Sequence, residues 1–428
     1  MKKTFTVFIL FVLIISCKKG EKDPVPAEKT YTDQIILNDL DIQGDTVKLS
    51  WSKLDTASFI KYVVARRDFD GAELYAMGNE IQSKETTEAV DVNVPYSPDV
   101  TYQILGYLSD DSIIFSNAVN YHRPDITALD LIPFDVIYHP EDDLLYFFER
   151  PGRISIYDLK AKQVTKQIDT GGKISFSDFE VYQGREELYV PRDDGWVFIY
   201  DARTLEKVDE INIGATSSSV ISNNNILFIS NISWIDKTLK VYNRATKQVI
   251  SQSGGAESVR FKKIPHSSTK LLGARLGSGH PHYYQFDANG SIENNFYGQY
   301  SDYGMSANIF EVFPNGEKYI MSSNGAIFNI DLSYDKSLPR GSLRFMGFAF
   351  NQQGDLIYGA TTTRSIEVYS TRDFEHIKTI PTKAYPFRIF VTDDAVISVS
   401  LASLINGEVD HYSFYGLGNK VIMEVLNK

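Results

Sequence analysis

The only close histidine pair is His280-Pro281-His282. Two imidazoles in one loop make half a metal site, because zinc and its neighbours take three or more protein ligands. No His-Glu-x-x-His, Gly-x-Ser-x-Gly, phosphate loop or calcium loop accompanies them. No catalytic set, metal or cofactor is therefore assigned. Arg150, Arg192, Arg275 and Arg364 recur at similar points of successive chain segments. Guanidinium groups grip carboxylates and phosphates bidentately, so a ring of them would hold an anionic ligand. Glu149, Asp193 and Asp194 stand beside two of the four, and local pairing is the plainer reading. Trp196 and Trp234 are two of three tryptophans. An exposed indole suits a protein partner or a sugar ring, and packing between neighbouring units is the competing reading.

Cys17 is the only cysteine in 428 residues, which excludes an intramolecular disulfide, a Cys nucleophile and a Cys-based metal site. Lys2 and Lys3 precede the apolar run 4–16. That run falls short of the ~20 residues that span a bilayer. Ile14-Ile15-Ser16-Cys17 follows directly. It resembles the lipobox of bacterial lipoproteins, with an aliphatic residue at −3, a small one at −1 and then Cys. The resemblance implies that residues 1–16 are a signal peptide and that Cys17 carries acyl chains, several of which anchor stably where one is marginal. Residues 17–30 are charged, contain Pro and lack apolar periodicity, as a tether does. The sequence resembles lipoproteins of the Bacteroidota, which implies an outer-membrane location, with surface exposure favoured over the periplasmic face. Lys18 and Lys19 precede Glu21 and Asp23, so the acidic export signal of some members is poorly matched. Losing residues 1–16, which carry two Lys and no acid, takes the formal charge from −12 to −14. A chain this acidic is not expected to bind nucleic acid.

The candidate residues need elements to position them, and these read as strands throughout. Residues 126–428 repeat around an aromatic or aliphatic residue followed by a mostly polar one. The pairs are Tyr157-Asp158, Tyr200-Asp201, Tyr242-Asn243, Phe286-Asp287, Ile330-Asp331, Tyr369-Ser370 and Phe414-Tyr415, at intervals of 43, 42, 44, 44, 39 and 45 residues. That period is the size of a unit of four short strands. In the second unit the strands read 176–182, 188–191, 196–200 and 207–213; in the sixth, 345–350, 356–360, 366–369 and 377–381. The recurrent Asp suits a turn, where its carboxylate accepts backbone N–H bonds. Seven such units resemble a seven-bladed β-propeller of the YVTN or WD type, without the Gly-His and Trp-Asp signature of true WD repeats. The seventh unit is expected to supply its own outer strand, 421–426, leaving 126–132 as an edge strand or a connection. Such a fold binds on the face made by loops between blades and between second and third strands. The four arginines, both tryptophans and the His pair fall in or beside those loops.

Residues 31–122 alternate over 47–51, 60–66, 100–107 and 113–119. Val47-x-Leu49-x-Trp51, Thr101-Tyr102-x-Ile104 and Ser116-Asn117-x-Val119 are similar to fibronectin type III domains, which implies a β-sandwich with Trp51 in its core. The expected protein is all-β, a small sandwich followed by a propeller. It is expected to act as a non-enzymatic binding or scaffold lipoprotein, an accessory of an outer-membrane transport or assembly complex, or a glycan or protein binder. The alternative is an extracytoplasmic propeller enzyme, a polysaccharide lyase or glycosidase, using His280, His282 and nearby Arg and Tyr residues.

Overall fold

Short alternating runs closed by turn residues become strands, and nearly every regular element here is one. The computed structural model describes residues 34–124, 126–232, 237–254, 258–300, 302–402, 404 and 420–428. Cys17, the tether, Trp234 and the pair Phe414-Tyr415 lie outside the described residues. Among the described residues no helix is long and apolar enough to cross a membrane.

The N-terminal part is two sheets over one core. Thr46–Ser50 points Val47 and Leu49 inward, and it pairs with Asp41–Gln43 and Glu88–Asp91. In the second sheet Phe59–Arg67 lies between Tyr75–Ile81 and Asp99–Leu108. Trp51 is 3% exposed and meets Tyr62 edge-on, at 5.6 Å between ring centres, inside the shared core. The expected strand over 113–119 is in fact two, Ile113–Phe115 and Val119–His122, both paired with Asp99–Leu108. The break has a local cause. Ser116 Oγ accepts from the Ile104 N–H at 2.9 Å, and the Asn117 amide bonds both the N–H and the carbonyl of Leu37. The Ser116 hydroxyl takes the Ile104 N–H that the ladder would otherwise use, and Asn117 ties the chain to Leu37 outside that ladder.

The rest is a seven-bladed β-propeller, seven antiparallel four-stranded sheets. The innermost strands of blades 1 to 7 are Pro133–His139, Asp178–Tyr182, Ser217–Asn223, Val259–Lys263, Glu311–Val312, Phe345–Phe350 and Tyr385–Val391. The middle strands are buried on both faces, because each blade is covered by two neighbours; Leu144–Glu149 and Ile226–Asn231 are examples. One core cluster accordingly joins Tyr189, Val197 and Ile199 of blade 2 to Leu227 and Ile229 of blade 3. The turn acids do what their position requires. Asp158 accepts from the N–H groups of Lys160 and Ala161, both at 2.8 Å, and Asp201 from those of Arg203 and Thr204. Asn243 repeats this with Ala245 and Thr246. Leu205 and Lys247 close these turns at positive φ, 57° and 59°.

Ring closure differs from the expectation for 421–426 and follows the edge-strand reading of 126–132. Val421–Asn427 is the third strand of blade 7, not its outer strand. The outer strand is Thr127–Leu129, directly after the sandwich, paired antiparallel with Val421–Met423. A strand from the front of the propeller sequence thus completes the last blade. Its neighbours also meet the sandwich: Tyr96 packs by Ala384, Ala402 and Ile422, and Lys383 Nζ lies 5.3 Å from the Tyr96 ring centre.

Candidate functional site

Pairing register divides the two faces of the ring. Pro133 pairs with Glu149, Val259 with Arg275 and Phe345 with Thr361. The second-to-third-strand loops therefore sit at the end where the inner strands begin. Arg150, Arg192, Arg275, Arg364 and His280 share this face, and Trp196 opens a strand there.

Their local chemistry differs. Arg150 Nη2 holds both Asp193 oxygens of the next blade, at 2.9 and 2.7 Å, while Nη1 donates to Ser175 Oγ at 3.0 Å. Arg192 is buried; its Nε bonds Asp194 at 3.0 and 3.1 Å, and its guanidinium covers the Phe198 ring at 4.3 Å. Hydrogen bonding to Arg192 holds the Asp194 carboxyl below its ordinary range. For these two arginines, local pairing with acids is what the structure has. Arg275 is exposed, and Arg364, at φ 54°, covers the Tyr385 ring at 4.9 Å. Trp196 is half-buried and pairs with Asn212. His282 is buried and stacked between Tyr284 and Tyr297, at 6.1 and 5.5 Å. Burial, then the charges of Arg275 and His280, pushes its pKa down to about 4. It is a neutral aromatic ring at neutral pH. Among the described residues no group of three or more His, Cys, Asp or Glu is placed to hold a metal.

A second constellation lies on the inner strands, away from the loops that carry the residues expected from sequence. Asp135 of blade 1, Arg260 of blade 4 and Arg388 of blade 7 meet in the channel, all buried. Arg260 Nη2 bonds both Asp135 oxygens at 2.9 and 3.0 Å, across the ring, and its Nη1 bonds the Ala307 carbonyl at 3.1 Å. Arg388 Nη2 shares Asp135 Oδ1 at 3.4 Å. Burial pushes the Arg388 pKa down to about 10; Asp135 opposes this, and Arg260 adds to it. Beside them Lys262 Nζ bonds both Glu311 oxygens at 2.9 and 3.0 Å. Lys263 Nζ reaches Asp178 at 3.0 Å and Glu180 at 3.1 Å. Burial raises the Asp178 pKa, and Lys263 with the Ser222 N–H opposes it.

Asp135, Asp178, Arg260, Lys262, Glu311 and Arg388 line a cavity of about 1100 Å³ whose wall takes residues from the inner strands of all seven blades. It extends to Pro140, Asp143, Pro314, Gln352 and Asp393, in the loops between first and second strands. His139 pairs with Leu144, so those loops lie at the far end of the inner strands. The cavity thus opens on the face opposite the one carrying Arg150, Arg192, Arg275, Arg364 and His280. A signal for it existed in the sequence: Phe134-Asp135-Val136, Val259-Arg260-Phe261 and Phe387-Arg388-Ile389 each place one charge inside an apolar strand.

No family model matches the chain. Among solved structures it is similar to the WD40 repeats of RRP9, with a TM-score of 0.54 and 11% identity over 71% of this chain and 98% of that one. It is also similar to U3-55K, with a TM-score of 0.52 and 12% identity over 71% of this chain and 98% of that one. Identity this low bears on the fold alone. The chain carries a WD40-like propeller over about 70% of its length, with further sheets at its N-terminal side.

Proposed function

We propose that this protein is a binding or scaffold lipoprotein of the cell envelope. Cys17 anchors it, and the sandwich, read as a fibronectin type III-like module, spaces the propeller from the membrane. The observation that carries the binding role is the channel cavity. Seven blades contribute to one wall, so its groups are held by the whole ring rather than by a single loop. WD40-like propellers bind proteins in general, and the face bearing Trp196, Arg275 and Arg364 offers an indole and two guanidinium groups with no acid bonded to them among the described residues. We assign the envelope partner to that face, as an accessory of an outer-membrane transport or assembly complex. The sheet order supports the module assignment: three strands face a sheet in which both Ile113–Phe115 and Val119–His122 pair with one long strand. Tyr102 departs from a tyrosine corner, since its hydroxyl donates to the Asp91 carboxylate at 2.8 Å and not to backbone.

The test is affinity capture from detergent-solubilised envelope. Wild type is expected to retain a defined partner, and Trp196→Ala with Trp234→Ala to lose it by ~2 kcal/mol or more. Cys17→Ala is expected to leave the membrane fraction. Acyl labelling that persists in Cys17→Ala ends the lipoprotein reading. Turnover of a polysaccharide that vanishes in His280→Ala with His282→Ala replaces the binding reading with the lyase or glycosidase one.

A further inference from the structure

We infer that the channel cavity is a binding site for a neutral carbohydrate, a short oligosaccharide entering from the face opposite the tryptophan and arginine loops. This deepens the binding role proposed above and rests on it. The charge lining the channel decides the ligand class. Along its inner strands the acids are Asp135, Asp178 and Glu311 and the cations Arg260, Lys262 and Arg388; Asp135 and the two arginines are buried, the others half-buried. Each is already held by a group of opposite sign: Asp178 by Lys263, Glu311 by Lys262, and Arg260 and Arg388 by the one carboxylate of Asp135. A charged ligand would have to break a pair such as the half-buried Lys262–Glu311 or the buried Arg260–Asp135, leaving an ion without its partner. An anion faces a further barrier at the mouth, where Asp393 and Asp394 are exposed and Lys160 is already bonded to Asp143 at 2.8 Å. A purely apolar molecule fares no better, because it would cover ionic groups without hydrogen-bonding them.

What fits is a neutral molecule that both donates and accepts hydrogen bonds and has an apolar face. The pairs leave such capacity. Each Glu311 oxygen accepts one bond from Lys262 and keeps a lone pair. Ser219 Oγ accepts from the Phe261 N–H at 3.1 Å and still carries its own proton. Vicinal hydroxyls of a pyranose match this mixed set. The apolar face is matched by aromatic rings: Tyr138, Phe350 and Phe390 line the same cavity and are only partly buried. Tyr138 and Phe390 lie 5.7 Å apart, their planes tilted by 42°, and the Tyr138 hydroxyl is tied to Asp143 at 2.8 Å. The wall is therefore set before a ligand arrives. A volume of about 1100 Å³ stands above the ordinary size of a small-molecule site, which favours several sugar rings over one.

The full-length protein in detergent would be titrated calorimetrically with neutral trisaccharides of gluco, manno, galacto and xylo configuration. Trigalacturonate is the anionic probe and the trimer of glucosamine the cationic one. At least one neutral trisaccharide is expected to bind saturably, with both charged probes at least tenfold weaker. Phe390→Ala is expected to weaken it tenfold or more, and so is the volume-conserving Glu311→Gln, with an unchanged thermal transition as the check on folding. Absence of binding by every neutral trisaccharide at millimolar concentration overturns the inference. So does tighter binding of either charged probe, or unchanged affinity in both folded variants. Capture of the envelope partner is measured separately. If it persists while saccharide binding fails, only the ligand assignment falls; if it fails while a saccharide binds, the partner assignment falls.

Discussion

The sandwich and the propeller each bury a cluster of charge, and the two clusters are built with opposite stoichiometry. In the sandwich one guanidinium serves two carboxylates. Arg66 Nε bonds Asp68 at 2.7 Å, and Nη1 bonds Asp91 at 2.7 Å and the Asn93 carbonyl at 2.9 Å. Burial works against the Arg66 charge, yet the two acids hold its pKa above the ordinary value. In the channel one carboxylate, Asp135, serves two guanidiniums, and the Arg388 pKa falls to about 10. At Arg388 burial outweighs the opposing Asp135 and Arg260 adds to it, whereas at Arg66 two acids outweigh burial. Topology differs as well. Arg66 and its acids are at most 25 residues apart, whereas Asp135 lies 125 residues from Arg260 and 253 from Arg388. The charge cluster of the sandwich is local in the chain, and that of the ring forms only when blades 1, 4 and 7 meet.

The largest effect expected from that contrast concerns closure. A chain beginning at Pro124 keeps Thr127–Leu129 and should unfold in one cooperative thermal transition, followed by circular dichroism. A chain beginning at Asp130 lacks the outer strand of blade 7 and should lose that cooperativity. Equal transitions for the two chains would mean that the closing strand is dispensable.

Next comes the charge count. Asp135→Asn removes the acid that two buried guanidiniums share, and breaking such a pair costs ~3–5 kcal/mol. Asp91→Asn leaves Arg66 with Asp68, the Asn93 carbonyl and the Tyr75 hydroxyl, and should cost ~1–3 kcal/mol. Urea unfolding of both variants gives the comparison. Equal costs would show that stoichiometry is not what distinguishes the two clusters.

A third effect depends on pH. His282 is neutral in the fold, with its pKa lowered from 6.5 to about 4. The unfolded chain binds the proton first on acidification. The stability that His282 contributes is therefore present above pH 6.5 and lost as pH falls from there towards 4. The full loss is about 3 kcal/mol, at ~1.36 kcal/mol per pKa unit. Subtracting the unfolding free energies of His282→Phe from those of wild type at pH 7, 6 and 5 isolates this contribution. A difference that stays flat with pH would contradict a buried neutral imidazole.

The smallest effect is at a turn. Asp201→Ala deletes the one oxygen that accepts two N–H bonds in a hairpin turn and should cost ~0.5–1.5 kcal/mol in the same assay, with no change in partner or saccharide binding. A cost above that of Asp135→Asn would reverse the ranking of turn and channel.

Sequence alone determined what is local and periodic. Tyr200-Asp201 and its counterparts mark hairpins because an Asx carboxylate caps the turn wherever the chain stands. The 39-to-45-residue interval marks blades because each needs four strands of similar length. Val47, Leu49 and Trp51 alternate, and their burial follows from the pleat. Tertiary structure decided what alternation does not encode. Thr127–Leu129 is a short strand whose partner, Val421–Asn427, comes some three hundred residues later, so nothing near it in the chain announces the pairing. Asp135, Arg260 and Arg388 look like isolated exceptions in apolar strands until closing the ring brings blades 1, 4 and 7 around one axis. The channel cavity belongs to that axis, because the inner strands of all seven blades make it together and no single blade contains it.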